Sequence, residues 1–115
     1  MNNHILGRVG ENHAETYLTN KGYEIIARNW RSGHKEVDLI ASKDNVIIFF
    51  EIKTRANLDF GNPEESVTRK KMKLVKEAAH DYLVNKPIQR IQFDIIAMVI
   101  TEGEVIDFLH MEDAY

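Results

Sequence analysis

The chain has 115 residues, 43% of them hydrophobic and 29% charged, with a formal net charge of −3 and no cysteine. Such a composition reads as one globular domain over residues 1–115 and excludes disordered, collagenous and coiled-coil chains. The missing cysteines exclude disulfides, thiolate zinc sites and cysteine nucleophiles, and suit the cytoplasm. No apolar run approaches the ~18 residues a membrane span needs, and Met1-Asn2-Asn3-His4 lacks the basic-then-apolar layout of a signal peptide, so no membrane partner is expected.

Residues 4–21 read as a helix, with Leu6, His13, Ala14 and Tyr17 on one stripe, Glu11 and Leu18 at its edge, and Gly22 at the C-terminal stop. Tyr23 to Arg31 is extended and amphipathic, Glu36 to Ser42 alternates, and Val46 to Thr54 is a nearly continuous apolar run interrupted by Glu51 and Lys53. Lys43-Asp44-Asn45 predicts a tight hairpin turn, because Asp and Asn accept turn dihedrals readily. Asn62-Pro63-Glu64-Glu65 has the cap, proline and glutamate of a helix start, and the long helix that follows breaks near Thr68 and ends before Pro87. Ile91 to Ile100 and Glu104 to Leu109 read as two more strands, joined around Gly103. The order α-β-β-β-α-β-β, with a strand, a crossover helix and a strand, requires a parallel pair. An α/β (α+β) fold with a mixed sheet and flanking helices is expected.

The net charge conceals an asymmetry along the chain. Residues 21–76 carry 12 basic and 8 acidic groups, whereas residues 77–115 carry 2 basic and 8 acidic ones. A chain that is basic through its middle can present a positive face to a polyanion despite its overall sign.

The chemistry concentrates in the hairpin from Glu36 to Lys53. A two-residue turn at Asp44-Asn45 sets a register that places Asp38 opposite Glu51 and Glu36 opposite Lys53. Two carboxylates directly opposed repel unless something positive lies between them, and a hard divalent cation bound by oxygen is the natural candidate. The plainer reading is a set of solvated strand-end charges with a weak Glu36–Lys53 ion pair. Against it, Glu51 shares a face with Ile47 and Phe49, and carboxylates are seldom placed in a buried strand without a partner.

Asp38 followed by Glu51-Ile52-Lys53 on the next strand resembles the PD-(D/E)xK motif of restriction-endonuclease-like nucleases, with Val37 in place of the nominal proline. Gly10-Glu11-x-x-Ala14, Arg28-Asn29-Trp30-Arg31, Glu36-Val37-Asp38-Leu39-Ile40, Glu51-Ile52-Lys53-Thr54-Arg55, Phe60-Gly61-x-Pro63, Ala78-Ala79-x-x-Tyr82-Leu83 and Phe93-Asp94 follow one another like the blocks of the YraN-like family of small bacterial endonuclease-like proteins. The resemblance implies a restriction-endonuclease-like fold, related to that of Holliday-junction resolvases. It also implies Mg²⁺ or Mn²⁺ held by Asp38, Glu51 and the carbonyl of Ile52, and an attacking water held by Lys53. Glu11 would reach the same pocket from the first helix. The chain lacks the Gln-x-x-x-Tyr element of some relatives, since Ala78 stands four before Tyr82.

For nucleic acid contact, Arg28, Arg31 and Arg55 cluster near the motif strands with His34 and Glu36 as accessory residues, and Lys70 and Lys71 open the basic turn of the long helix. Lys71 falls in the angular sector of Val67, Leu74, Ala78 and Tyr82 and so points at the sheet. Lys73 and Lys76 suit a solvated face, and Trp30 suits the core better than base stacking. The leading expectation is a metal-dependent nuclease that hydrolyses phosphodiester bonds in DNA, including branched DNA. The alternative is a non-catalytic nucleic-acid-binding or assembly module on the same fold. The exposed strand edges are compatible with a homodimer under either reading.

Overall fold

The computed structural model describes residues 2–59, 61–87 and 89–115; Phe60 of the Phe60-Gly61-x-Pro63 block lies outside the described residues. Helix α1 (Asn3–Asn20) leads into strands β1 (Glu24–Ser32), β2 (Lys35–Lys43) and β3 (Val46–Arg55), then a 3-10 turn (Pro63–Ser66), helix α2 (Arg69–Leu83) and strands β4 (Arg90–Thr101) and β5 (Glu104–Met111). The expected order α-β-β-β-α-β-β holds. So does the break at Thr68, whose hydroxyl accepts from the Lys71 N–H and starts α2 afresh after the 3-10 turn. Among the described residues no helix is long and apolar enough to cross a membrane.

The five strands lie side by side in chain order, β1-β2-β3-β4-β5. Neighbours run antiparallel except β3 and β4, which are parallel and joined through α2. Two separate cores follow from this. Leu6, Ala14 and Leu18 of α1 pack on Leu39, Phe50 and Ile96 on one face; Val75, Ala78 and Ala79 of α2 pack on Ile40, Phe49 and Phe93 on the other. A sheet buried on both faces explains why β3 and the middle of β4 read as continuous apolar runs rather than alternating ones.

Local chemistry sets the element ends. Gly22 (φ +90°) follows the last residues of α1, its N–H donating to Thr19 O while Tyr23 N–H donates to Leu18 O, which is a Schellman stop. Asp44 and Asn45 both have positive φ (52° and 66°), the type I′ geometry that matches strand twist. The resulting register, from Lys43↔Val46 to Leu39↔Phe50, is the one the turn predicts.

Two expectations are corrected. His13 is exposed, and the buried ridge of α1 is Leu6, Gly10, Ala14 and Leu18. Gly10 lets the helix sit directly on β3: a β-carbon there would overlap Thr54 Oγ1. Gly10→Ala should therefore cost about 1–3 kcal/mol in urea denaturation through overpacking, and the added substitution Thr54→Ala should recover part of that loss. The second correction concerns Glu36. The β2–β3 ladder ends at Leu39↔Phe50 while β2 continues against β1, so Glu36 pairs with Arg31 (3.3 Å) and not with Lys53.

Candidate active site

The site forms where β2 changes faces. Val37 belongs to the α2-side core and Leu39 to the α1-side core, although strict alternation would put both on one face. The neighbouring strand shows the same slip. Trp30 packs edge-on against Tyr82 of α2 (5.4 Å, 88°), whereas Arg28 reaches α1, bonding Asn12 (2.8 Å) and Glu15 (2.9 Å). Between Arg28 and Trp30, Asn29 adopts a left-handed φ of 48°, which asparagine tolerates better than most residues. Asp38 lies at the corresponding point of β2. Its Oδ2 accepts the Ile52 N–H at 2.8 Å, so a carboxylate takes the place of the next ladder partner.

Glu51, on β3, is only 3% exposed, and its Oε2 has no hydrogen-bond partner among the described residues. Lys71 Nζ stands 4.0 Å from that oxygen. Burial pushes the Asp38 carboxyl up to about 6, against the pull of the Ile52 N–H; the charges of Glu11 and Glu36 add to the rise and Lys71 opposes it. Burial pushes Glu51 up to about 8, the charge of Asp38 adds to this, and Lys71 and then Lys53 pull the other way. The two carboxyls thus destabilise each other's ionised form within a buried pocket, and both lysines carried by the local elements offset only part of that.

Glu11 joins the set from α1. Its Oε1 accepts from Asn29 Nδ2 at 3.2 Å, and with Arg31 and Glu36 it lines a cavity of about 440 Å³. Lys53 and Arg55 line a second cavity of about 450 Å³ beside Ile52 and the first turns of α1. Ile52 stands between the motif residues on β3. Asp38, Glu51, Lys53, Glu11 and Glu36 are therefore gathered around the point where the β2–β3 ladder ends, with Glu11 supplied from the middle of α1 and Lys71 from α2.

The other expected contact residues divide. Arg28 is engaged in tying α1 to β1. Arg31 is exposed but paired with Glu36. Arg55 carries a buried Nε without a partner among the described residues, His34 is exposed in the β1–β2 turn, and Lys70 is exposed on α2.

A second polar cluster lies on the α1 face of the sheet, and the sequence reading passed over it. Asp94 is fully buried on β4. His110 Nε2 donates to its Oδ2 at 2.7 Å, and His110 Nδ1 meets the Tyr17 hydroxyl at 2.8 Å. Asp94 Oδ1 accepts from Gln92 Nε2 and from the Asp113 N–H, both at 2.9 Å. With exposed Glu112, this cluster presents ligand atoms within 4.8 Å of one another. Each oxygen of Asp94 already has its donors, and the arrangement acts as a clamp on residues 110–113 rather than as an unfilled ligand set. A carboxylate alone inside the apolar run Phe93-Asp94-Ile95-Ile96 was the available signal, because a buried strand acid needs partners.

The model of the uncharacterised protein family UPF0102 matches residues 10–98, which include Glu11, Asp38, Glu51, Lys53 and Asp94. The chain is 38% identical over 125 residues to a UPF0102 protein of Chloroherpeton thalassium, covering 100% of this chain and 97% of that one. It is 37% identical over 118 residues to one of Dictyoglomus turgidum, with both chains fully covered. A UPF0102 protein of Chlorobium phaeobacteroides is 42% identical over 119 residues, 97% of this chain and 94% of that one. By family match and by relatives of the same length, the chain belongs to the uncharacterised protein family UPF0102, the YraN family.

Proposed function

We propose that the protein is a metal-dependent phosphodiesterase acting on DNA. The observation that carries this reading is Glu51 Oε2: a buried carboxylate oxygen without a hydrogen-bond donor among the described residues, set against a second, half-buried carboxyl at Asp38. Leaving such an atom bare is costly, and a hard divalent cation would satisfy it. The donors fit Mg²⁺ or Mn²⁺, which take carboxylate, carbonyl and water oxygens. Asp38, Glu51 and the Ile52 carbonyl would hold the ion, and Glu11 would meet it through water. When bound, it would neutralise charge on the phosphate and acidify a water.

The residues of the chain itself divide the remaining work. The Ile52 N–H fixes the rotamer of Asp38. Lys53 would orient the attacking water, and Lys71, next to Glu51, would balance charge on the α2 side. Arg55 and Arg31, at the rims of the two neighbouring cavities, would meet flanking phosphates.

Calorimetry with Mn²⁺ should give binding that Asp38→Ala abolishes. A fluorescent four-way junction, duplex and single strand should be cut in Mn²⁺ but not in EDTA, with Lys53→Ala slowing cleavage roughly 100-fold or more. Metal binding without cleavage of any of the three would reject turnover and leave the nucleic-acid-binding module as the reading.

A further inference from the structure

We propose that the groove between α2 and the β1–β2 turn holds a single-stranded segment of nucleic acid, with phosphates on α2 and a base on the floor. The groove has a volume of about 680 Å³, and Met72 and Tyr115 contribute its apolar surface while Arg69, Lys73 and Lys76 line the α2 side. The cations stand at helical spacing on one stripe, so they form a row rather than a scatter. A row of cations beside an aromatic surface is the combination that single strands use, one for the backbone and the other for bases.

The acids of the groove do not cancel this row. Asp81 is taken by Lys35 (2.7 Å) and by the Ser32 hydroxyl (2.8 Å), which leaves Glu77 against three cations. Tyr115 is well placed on its own account. Its ring stacks on Phe93 (5.3 Å, 26°), which stacks on Phe49 (5.5 Å, 25°) two residues before Glu51. The Ala114 N–H donates to Phe93 O at 2.7 Å, and Lys76 Nζ lies 5.5 Å and 5.6 Å from the Phe93 and Tyr115 rings. The Tyr115 hydroxyl is buried without a partner among the described residues. Burial makes this hydroxyl a weaker acid, and the charges of Glu51 and then Asp38 add to the effect, in keeping with the stack that leads from Tyr115 through Phe93 to Phe49.

A volume of this size accepts a drug-sized ligand or a short stretch of strand, and a duplex is too wide to enter it. The inference rests on the nucleic-acid reading above but does not require turnover. It also assigns contacts to Lys73 and Lys76, which a purely solvated helix face would not make.

The test is fluorescence anisotropy in EDTA on an Asp38→Ala background, with a labelled single strand of about 12 nucleotides and the matching duplex, over a range of salt. Lys73→Glu with Lys76→Glu should weaken single-strand binding roughly tenfold or more and flatten the salt slope by more than one. Tyr115→Ala should weaken it roughly tenfold with the slope unchanged, and Tyr115→Phe should bind nearly as wild type does. Circular dichroism and melting keep folding losses separate from binding losses. Unchanged affinity and slope in the double charge reversal would overturn the proposal, as would tighter binding of the duplex. Competition by AMP as effective as that by the oligonucleotide would assign the groove to a mononucleotide and also overturn it. Because cleavage plays no part, an inactive protein that binds in this way removes the nuclease reading alone. An active protein whose binding ignores these substitutions removes the groove alone.

Discussion

Glu51→Gln should melt higher than the wild type at pH 8 in EDTA, by roughly 10 °C, and should lose the stabilisation that Mn²⁺ gives the wild type. The reason lies in proton linkage. Free carboxyls in an unfolded chain titrate near 4, while the folded values are about 6 for Asp38 and about 8 for Glu51. Between those limits the folded state holds protons that the unfolded chain has released, so stability falls as pH rises through that window. At pH 8, where Asp38 is ionised and Glu51 is about half ionised, most of the cost is present. For a pair this buried and this coupled, ~2–4 kcal/mol is a reasonable scale, which a domain of this size reads as several degrees to more than ten. Glutamine removes the charge and lets an amide N–H donate to Asp38. At pH 5 most of the advantage should vanish, because Glu51 is then protonated in the folded state. Differential scanning fluorimetry at pH 5 and pH 8, with and without Mn²⁺, measures all four cases. A glutamine variant no more stable than wild type at pH 8 would show that the pair is not under the strain described. A wild-type melting temperature indifferent to Mn²⁺ would reject the ion site itself.

Asp94→Ala should cost about 3–5 kcal/mol, the scale of a buried charged or strongly hydrogen-bonded group whose partners are left behind. The substitution strands His110 Nε2, Gln92 Nε2 and the Asp113 N–H together. Chemical denaturation gives the loss. Amide exchange adds a local signature, because residues 110–115 should open faster than the β3 core. His110→Gln, which keeps a side-chain donor, should lose less than His110→Ala. If exchange at residues 110–115 stays as slow in Asp94→Ala as in the wild type, the cluster is not the clamp described.

Much of the architecture was readable because it depends on local chemistry. The Asp44-Asn45 turn fixed the hairpin register as far as Leu39↔Phe50; the expected Asp38–Glu51 pair lies one step beyond the ladder, where Asp38 accepts the Ile52 N–H and still adds its charge to the field at Glu51. Gly22 and Thr68 marked helix boundaries through their own capping bonds. What escaped depended on more than two elements at a time. Periodicity alone placed His13 on the buried side of α1, because it gave Gly10 no weight, yet Gly10 is where the helix meets Thr54. Alternation alone pairs Glu36 with Lys53, as if β2 kept both partners along its whole length, whereas its residues before Leu39 pair with β1 and not with β3. Arg28 looked free for phosphate and is held by Asn12 and Glu15, sixteen and thirteen residues earlier in the chain. Lys71 was the opposite case: its angular sector pointed inward, and it ends beside Glu51. Tyr115 gave no local sign at all, since its position follows from the clamp at Asp94 and the stack on Phe93.

Strand β5 forms one edge of the sheet, and the stretch from its preceding turn to just past its end, residues 102–113, carries Glu102, Glu104, Asp107, Glu112 and Asp113 with no lysine or arginine. Ile106 is 63% exposed on the same strand. An open edge with an apolar residue is ordinarily a template for another strand. Here two copies meeting edge to edge would set acid against acid, which opposes chain-to-chain growth of the sheet. The acidic edge therefore disfavours β5-to-β5 pairing of two copies, and a strand added there would pair best if it brought lysines or arginines with it.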